Sequence, residues 1–364
     1  MARILCLDSD THFSGSPGGQ ARFTRDIVEP LGLEHSLEIV SVGSFEQQWR
    51  GSVNFRTLVQ SEEVTRRTQL TFASRQRQFV RREAENYDLI VENFIPPIGP
   101  SALPRLTSTP VIGLANFSFW DEMSAKYHLP FTRLTKSRLT SYQWIATTHE
   151  SVAKKVRLLT PTTDVRAISQ VVETDARWND LPGTRALFLG RPDVHQKGLD
   201  LLVRALHHLG RGAPPVDIAG FDSDHPSWRT LTRRWPLPDT VVVHGYVSGT
   251  SREELLRTSR VLLLPSRYEG PSYIPLEGAF RGIPTVAFAL DCFADRRDAM
   301  YLATPFDVED FARNIATAFD NLNLYDRKRE GAQEISRRAR SQDPRRDFAD
   351  FVRDILAESE RPRR

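Results

Sequence analysis

Two glutamates, Glu269 and Glu277, stand in the stretch Val261-Leu-Leu-Leu-Pro-Ser-Arg-Tyr-Glu-Gly-Pro-Ser-Tyr-Ile-Pro-Leu-Glu277. The apolar run Val261 to Leu264 reads as a strand buried on both faces, as does Thr285 to Phe288. A helix is expected between them. Pro275 suits its first position, where a missing N–H costs nothing, and Gly282 with Pro284 stops it. Glu277 is then expected in the first helical turn and Glu269 in the loop entering it. Free N–H groups at a helix start face anions, so both glutamates border a natural phosphate site. A carboxylate beside a phosphate repels it, and the pair makes chemical sense only if each faces donors such as vicinal sugar hydroxyls. One would hold a ribose diol and the other a sugar. The plainer alternative for each is a surface glutamate favoured by the helix dipole.

A second motif, Gly190-Arg-Pro-Asp-Val-His-Gln-Lys-Gly198, joins an apolar strand to the amphipathic helix of Leu199, Leu202, Val203, Leu206 and Leu209. Arg191 falls at the strand's carboxyl end and Lys197 just before the helix, so both cations reach one anion. Each charge-assisted bond to a diphosphate contributes about 1.5–3 kcal/mol. Two surface cations in a loop are the simpler reading.

The elements that position these residues alternate in a βα pattern. Strands are expected at Arg3 to Leu7, Leu37 to Val42, Asp88 to Val91, Val111 to Leu114 and Trp144 to Thr147, with helices at Gly19 to Leu31, 61–86 and 151–159. The pattern restarts with strands at Ala186 to Leu189, Val216 to Ala219, Thr240 to Val243, Val261 to Leu264 and Thr285 to Phe288. Two α/β doubly wound domains facing a cleft follow: residues 1–171, a linker at 172–183, and residues 184–345. The tail is helical, and its stripe of Phe348, Phe351, Val352, Ile355 and Leu356 is expected to dock as a helix over 346–360 on the first domain.

The 364 residues carry a net charge of +3 and only Cys6 and Cys292, which excludes a disulfide framework or a cysteine metal site. No stretch of about 18 apolar residues occurs and no signal peptide opens the chain, so a cytoplasmic protein is expected. Asp8 to Asp10 and Asp222 to Asp224 repeat Asp-Ser-Asp, a spacing common by chance, and no metal is expected. The one basic cluster, Arg66, Arg67, Arg75, Arg77, Arg81 and Arg82, interleaves with Leu70, Phe72, Phe79 and Val80. Nucleic-acid binding is not expected from it. Peripheral contact with an anionic membrane face is one reading, and a solvated helix packed on its own domain the other.

Taken together the motifs resemble the retaining glycosyltransferases of family 4, which have the GT-B architecture. The resemblance covers nearly the whole second half: Phe188-Leu-Gly-Arg191 with Gln196-Lys-Gly-Leu-Asp200, Val243-His-Gly-Tyr-Val247, Pro265-Ser266 with Glu269 and Glu277, and Gly282-Ile-Pro-Thr-Val286. It implies that Arg191, Lys197 and Glu269 are catalytic, the cations on the donor diphosphate and Glu269 on the donor sugar. It assigns ribose to Glu277, the base to Tyr246 and Val247, and sugar and phosphate to Gly190, Gly270, Pro271, Ser272, Tyr273 and Ile274. In the first half Ser16-Pro-Gly-Gly19 matches the family's glycine loop, which brings Gly19 to the donor and Gly18 to the acceptor. His12, Phe119 and Trp120 are further acceptor candidates, although a surface position is the commoner fate of such a histidine.

Asn116 stands where the family often has a histidine beside the donor sugar. It hydrogen-bonds a hydroxyl but does not titrate. Ser169-Gln170-Val171 replaces the frequent Pro-Asn-Gly, and Asp291-Cys-Phe-Ala-Asp295 replaces a common Gly-Gly loop. The implied reaction is retaining transfer from a nucleotide diphosphate sugar, UDP favoured over GDP, to a hydroxyl or amine, with no cofactor required. The alternatives are a sugar-nucleotide epimerase or hydrolase, and a non-catalytic nucleotide-sugar-binding protein.

Overall fold

The structure, a computed structural model, describes residues 1–12, 19–96, 98–118, 120–172, 176–270 and 272–359. The chain divides into two units, Met1–Val171 with Asp343–Arg364, and Val172–Gln342.

Unit 1 runs β1 (Arg3–Thr11), α1 (Gly19–Phe23), β2 (Ser36–Gly43), β3 (Gln47–Arg50), β4 (Val53–Gln60), α2 (Arg66–Glu83), β5 (Leu89–Asn93), β6 (Val111–Ala115), α3 (Trp120–Tyr127), α4 (Phe131–Leu139), β7 (Trp144–Thr147), α5 (Glu150–Leu159) and β8 (Asp164–Ala167). Its eight-stranded sheet has the order β3-β4-β2-β1-β5-β6-β7-β8. Only β3 pairs antiparallel, with β4. Alternate residues of β1 explain the layering. Leu5 and Leu7 join Phe72, Val80, Leu139 and Val152 on one face. Ile4 and Cys6 join Phe23 and Ile27 on the other.

Helix α2 starts at Arg66 because Thr65 and Thr68 cap its amides reciprocally. Its Phe72, Phe79 and Val80 are buried in the unit's own core, while Leu70 is 60% exposed. Arg75 donates to the Leu58 carbonyl and Arg77 to that of Ser101. Most of the stripe expected to meet lipid is therefore spent in the core. The helix expected over Gly19 to Leu31 is α1 only to Phe23, continuing as a π turn, Thr24–Val28, and a 3-10 turn, Glu29–Leu33.

Unit 2 runs β9 (Arg185–Leu189), α6 (Leu199–Leu209), β10 (Val216–Ala219), α7 (Pro226–Arg234), β11 (Val241–Val243), α8 (Gly249–Thr258), β12 (Ser259–Leu264), α9 (Tyr273–Arg281), β13 (Thr285–Phe288), β14 (Met300–Ala303), α10 (Val308–Asp320) and α11 (Leu322–Arg340). The six strands are all parallel in the order β11-β10-β9-β12-β13-β14, so their carboxyl ends share one edge. The last helix, α12 (Pro344–Ser359), belongs to unit 1, where Phe348, Phe351, Val352 and Ile355 are buried beside Ile4 and Phe23. No described helix is long and apolar enough to cross a membrane.

Candidate active site

The carboxyl edge of unit 2 gathers the motif residues. Gly190 donates its amide to the Ala219 carbonyl at the end of β10 (3.0 Å), and Gly220 to that of Gly245 after β11 (2.7 Å). A side chain on Gly220, where φ is +116°, would sit 2.2 Å from the Gly190 carbonyl oxygen. Only glycine allows strand ends that close. The same edge carries Tyr246, which is 55% exposed, and Val247. Beneath them Asp217 accepts from Arg185 Nε and pairs with His244 Nε2, both at 2.6 Å.

The loop from Gly190 to Gly198 is locked onto the loop that follows β12. Arg267 donates its amide to the Gln196 carbonyl (3.0 Å) and its guanidinium to the carbonyls of Val194 and His195 and to both oxygens of Asp200. Gly198, at φ +64°, leaves no room for a Cβ, which would lie 1.9 Å from the Pro265 oxygen. This locking brings two predicted residues into direct contact. Lys197 Nζ donates to Glu269 Oε1 at 2.6 Å, and Ser266 Oγ donates to the same oxygen at 2.6 Å. The side chains are 16% and 6% exposed, so the pair is fixed in a partly dry setting. Arg191, at the strand end, is exposed and donates to Gln196 Oε1 (2.9 Å).

Glu277 is buried, and its Oε2 accepts from Arg252 on α8. The neighbouring pair crosses back: Arg281 donates in bidentate fashion to Glu253 and also to the Glu277 carbonyl. Helix α9 begins at Tyr273 with Ser272 at its cap. Pro275 is thus the third helical residue and Glu277 lies in the second turn rather than the first. Pro275 still sacrifices no internal bond, because the first four amides of a helix lack partners. Ile274 packs partly buried against Leu187 and Leu262. Ser272 is buried, and its carbonyl accepts from Arg296 Nη1 (2.8 Å). Burial holds that guanidinium below the ordinary arginine range, with Asp295 opposing the shift.

Residues 183–321 match the family described as Glycosyl transferases group 1. An uncharacterized glycosyltransferase of Methanocaldococcus jannaschii is 32% identical over 101 residues, 28% of this chain and 26% of that protein. Mannosylfructose-phosphate synthase of Agrobacterium fabrum is 28% identical over 159 residues, 40% of this chain and 35% of that one. The matches thus span about a quarter to a third of these relatives' lengths. Among solved structures, sucrose-phosphate synthase from Thermosynechococcus elongatus superposes with a TM-score of 0.74 at 16% identity, over 98% of this chain and 100% of that one. Anabaena HepE in complex with UDP-glucose gives 0.70 at 14% identity, over 97% and 100%. The chain has the GT-B fold of these neighbours.

In the first unit of this GT-B chain the expected residues meet different fates. His12 is not a surface residue: it is 7% exposed, 5.5 Å from the Phe55 ring, with its carbonyl accepting from Arg50. Its Nε2 lies 3.2 Å from Asp8 Oδ2, off the line of a good hydrogen bond. Burial raises the Asp8 carboxyl, but His12, Thr24 and the Asp10 amide outweigh it and hold it below its ordinary value. Burial pushes Asp10 up, reinforced by Asp8. Asn116, just past β6, donates Nδ2 to Asn93 Oδ1 (2.9 Å). Trp120 is 4% exposed and packs in the core, which removes its indole from an acceptor surface. Gly19 opens α1, and a Cβ there meets nothing within 4 Å among the described residues, so crowding by them does not explain that glycine. Gly18, Phe119 and Pro271 lie outside the described residues. Among the described residues no three His, Cys, Asp or Glu side chains are grouped to hold a metal.

Arg252, Arg296 and the Asp8 cluster were not anticipated. Arg252 sits in Ser251-Arg-Glu-Glu254 and Arg296 in Asp295-Arg-Arg-Asp298, runs that read as solvated helix surface. Only the fold shows that each faces inward.

Proposed function

We propose that this chain transfers a sugar from a nucleotide diphosphate sugar to an acceptor hydroxyl or amine with retention of configuration. The observation that carries the reading is the Lys197–Glu269 pair on the strand edge that also bears Arg191 and the start of α9. A cation and an acceptor carboxylate in contact match a ligand that joins a phosphate to a hydroxyl-bearing ring. Lys197 keeps two further N–H donors for the diphosphate, and Glu269 keeps Oε2 for a sugar hydroxyl. Glu277, held by Arg252, takes the ribose diol, and Tyr246 with Val247 flanks the base. UDP is the favoured nucleotide, supported by the HepE neighbour crystallised with UDP-glucose.

In the reaction the bond from the anomeric carbon to the phosphate oxygen breaks while the acceptor oxygen or nitrogen bonds to that carbon from the same face. The acceptor's proton passes to the departing phosphate. Arg191, Lys197 and the amides at the start of α9 stabilise the charge developing there, the contribution that usually dominates such catalysis. The scheme calls on no metal. Proton NMR of the product of a UDP-sugar and an acceptor panel tests it: an α-linked product from an α-linked donor is expected. A β-linked product overturns retention, and donor consumption without any acceptor product replaces transfer by hydrolysis or epimerisation.

A further inference from the structure

The start of α9 in unit 2 carries charge of one sign. Its cap, Ser272, makes no side-chain bond to the helix amides, and no acidic residue stands in the first turn. Amides at a helix start bear partial positive charge, which favours an anion beside them and opposes a cation. The chain nevertheless places a cation there. Arg296, in the 3-10 segment Asp291–Ala299 between β13 and β14, donates Nη1 to the Ser272 carbonyl at 2.8 Å.

The Arg296 side chain is 7% exposed, whereas the carboxylate paired with it, Asp295, is 48% exposed and 3.7 Å away, beyond hydrogen-bond reach. Arg281, buried to a similar degree on α9 itself, has Glu253 in bidentate contact. A buried guanidinium needs such a partner to offset its desolvation, and Arg296 has only a carbonyl and a distant, half-wet carboxylate. Burial accordingly holds it below the ordinary arginine range, with Asp295 and then Cys292 opposing the shift.

We propose that Arg296 charges the start of α9 from inside unit 2, so that the site selects the terminal phosphate of a nucleoside diphosphate over a nucleoside monophosphate or a neutral nucleoside. A phosphate over the α9 amides relieves both costs together: it answers the helix dipole, and it supplies the negative charge that Asp295 supplies only weakly. The cap carbonyl that Arg296 holds points along the helix, away from the free amides. Arg296 therefore acts through the turn it supports and does not touch the phosphate, which makes it a positioning residue. The inference deepens the proposed transfer reaction and rests on it for one point, that the anion belongs to a nucleoside diphosphate.

Calorimetry with UDP, UMP and uridine on wild type, Arg296→Met and Arg296→Lys tests the proposal, together with thermal shift in inorganic pyrophosphate. The ligand-free Tm of Arg296→Met is expected within about 2 °C of wild type, because replacing a poorly paired buried cation by an apolar chain is often neutral or stabilising. UDP should bind about tenfold more weakly to Arg296→Met, with UMP and uridine changed less than about twofold and Arg296→Lys near wild type for all three. Unchanged UDP affinity in Arg296→Met overturns the proposal, as does equal weakening of UDP and uridine. An Arg296→Met chain that no longer folds, or an Arg296→Lys that loses as much UDP affinity as Arg296→Met, also overturns it, since packing and not charge would then be what Arg296 supplies. A wild type that binds UDP no better than uridine refutes the nucleoside diphosphate reading instead. Pyrophosphate then decides for Arg296: a Tm rise in wild type that Arg296→Met lacks upholds the charged site, and no rise in wild type removes it.

Discussion

The two units bury carboxylates in opposite ways. In unit 2 the buried side chains of Glu269, Glu277 and Asp217 each meet a cation, respectively Lys197, Arg252 and Arg185. In unit 1 Glu92 accepts from the Ser101 amide and hydroxyl and from the Tyr142 hydroxyl, while Asp8 accepts from Thr24, Gln20 and a backbone amide beside His12. Ion pairs leave charge that an incoming phosphate can redirect. Neutral donors leave a fixed pattern of hydrogen-bond polarity.

The largest effect expected is on the charged edge. Lys197→Ala or Arg191→Ala should lower kcat about 100-fold or more, as loss of one preorganised electrostatic donor does, and near wild-type turnover for both would remove the phosphate assignment. Next comes Glu277→Ala. Loss of a hydrogen bond to a charged group, about 1.5–3 kcal/mol, predicts nucleoside diphosphate binding weakened about 10- to 100-fold in calorimetry. An unchanged dissociation constant would refute its ribose role.

A smaller effect is expected at Arg267, whose bonds tie the two loops but whose ion pair with Asp200 is part-exposed. Arg267→Ala should cost about 1 kcal/mol and lower Tm by about 2–4 °C, while raising the donor KM. A variant with unchanged KM would show that the loops hold without this tie.

The last prediction concerns pH. Burial pushes the Glu92 carboxyl up, against the bonds from Ser101 and Tyr142. A raised folded value means that its contribution is complete below the unfolded value, about pH 4.3, and is lost as pH rises through the folded one. Glu92→Gln should flatten the pH dependence of the denaturation midpoint above about pH 4.3. A slope unchanged from wild type would show that Glu92 is not its source. The Asp8 carboxyl, held low, acts oppositely: its stabilisation is lost as pH falls below the ordinary aspartate range.

The same contrast decides what was legible in the sequence. Strands such as β9, β12 and β13 are continuous apolar runs because both faces are covered. Strands β3 and β8 lie at sheet edges and β4 next to one, where polar residues are tolerated, so Gln47–Arg50 and Asp164–Ala167 carried no apolar signal. β1 was expected to stop at Leu7, before Asp8-Ser-Asp10, yet it continues to Thr11 with Asp8 buried among donors. Lys197, Glu269 and Glu277 were readable because their spacing is tied to a strand end and a helix start. Arg252, Thr24 and Asn93 were not, since their partners lie 16 to 69 residues away in the chain.

The central claim, that the paired charges of unit 2 hold a nucleotide diphosphate sugar, is tested most directly by thermal shift. UDP, GDP and their glucose conjugates would be screened against wild type and Glu277→Ala. A ligand bound only by the native state must stabilise it, so one nucleotide series is expected to raise the wild-type Tm and to lose most of that rise in Glu277→Ala. No shift with any of them, or an equal shift in both proteins, would contradict the account.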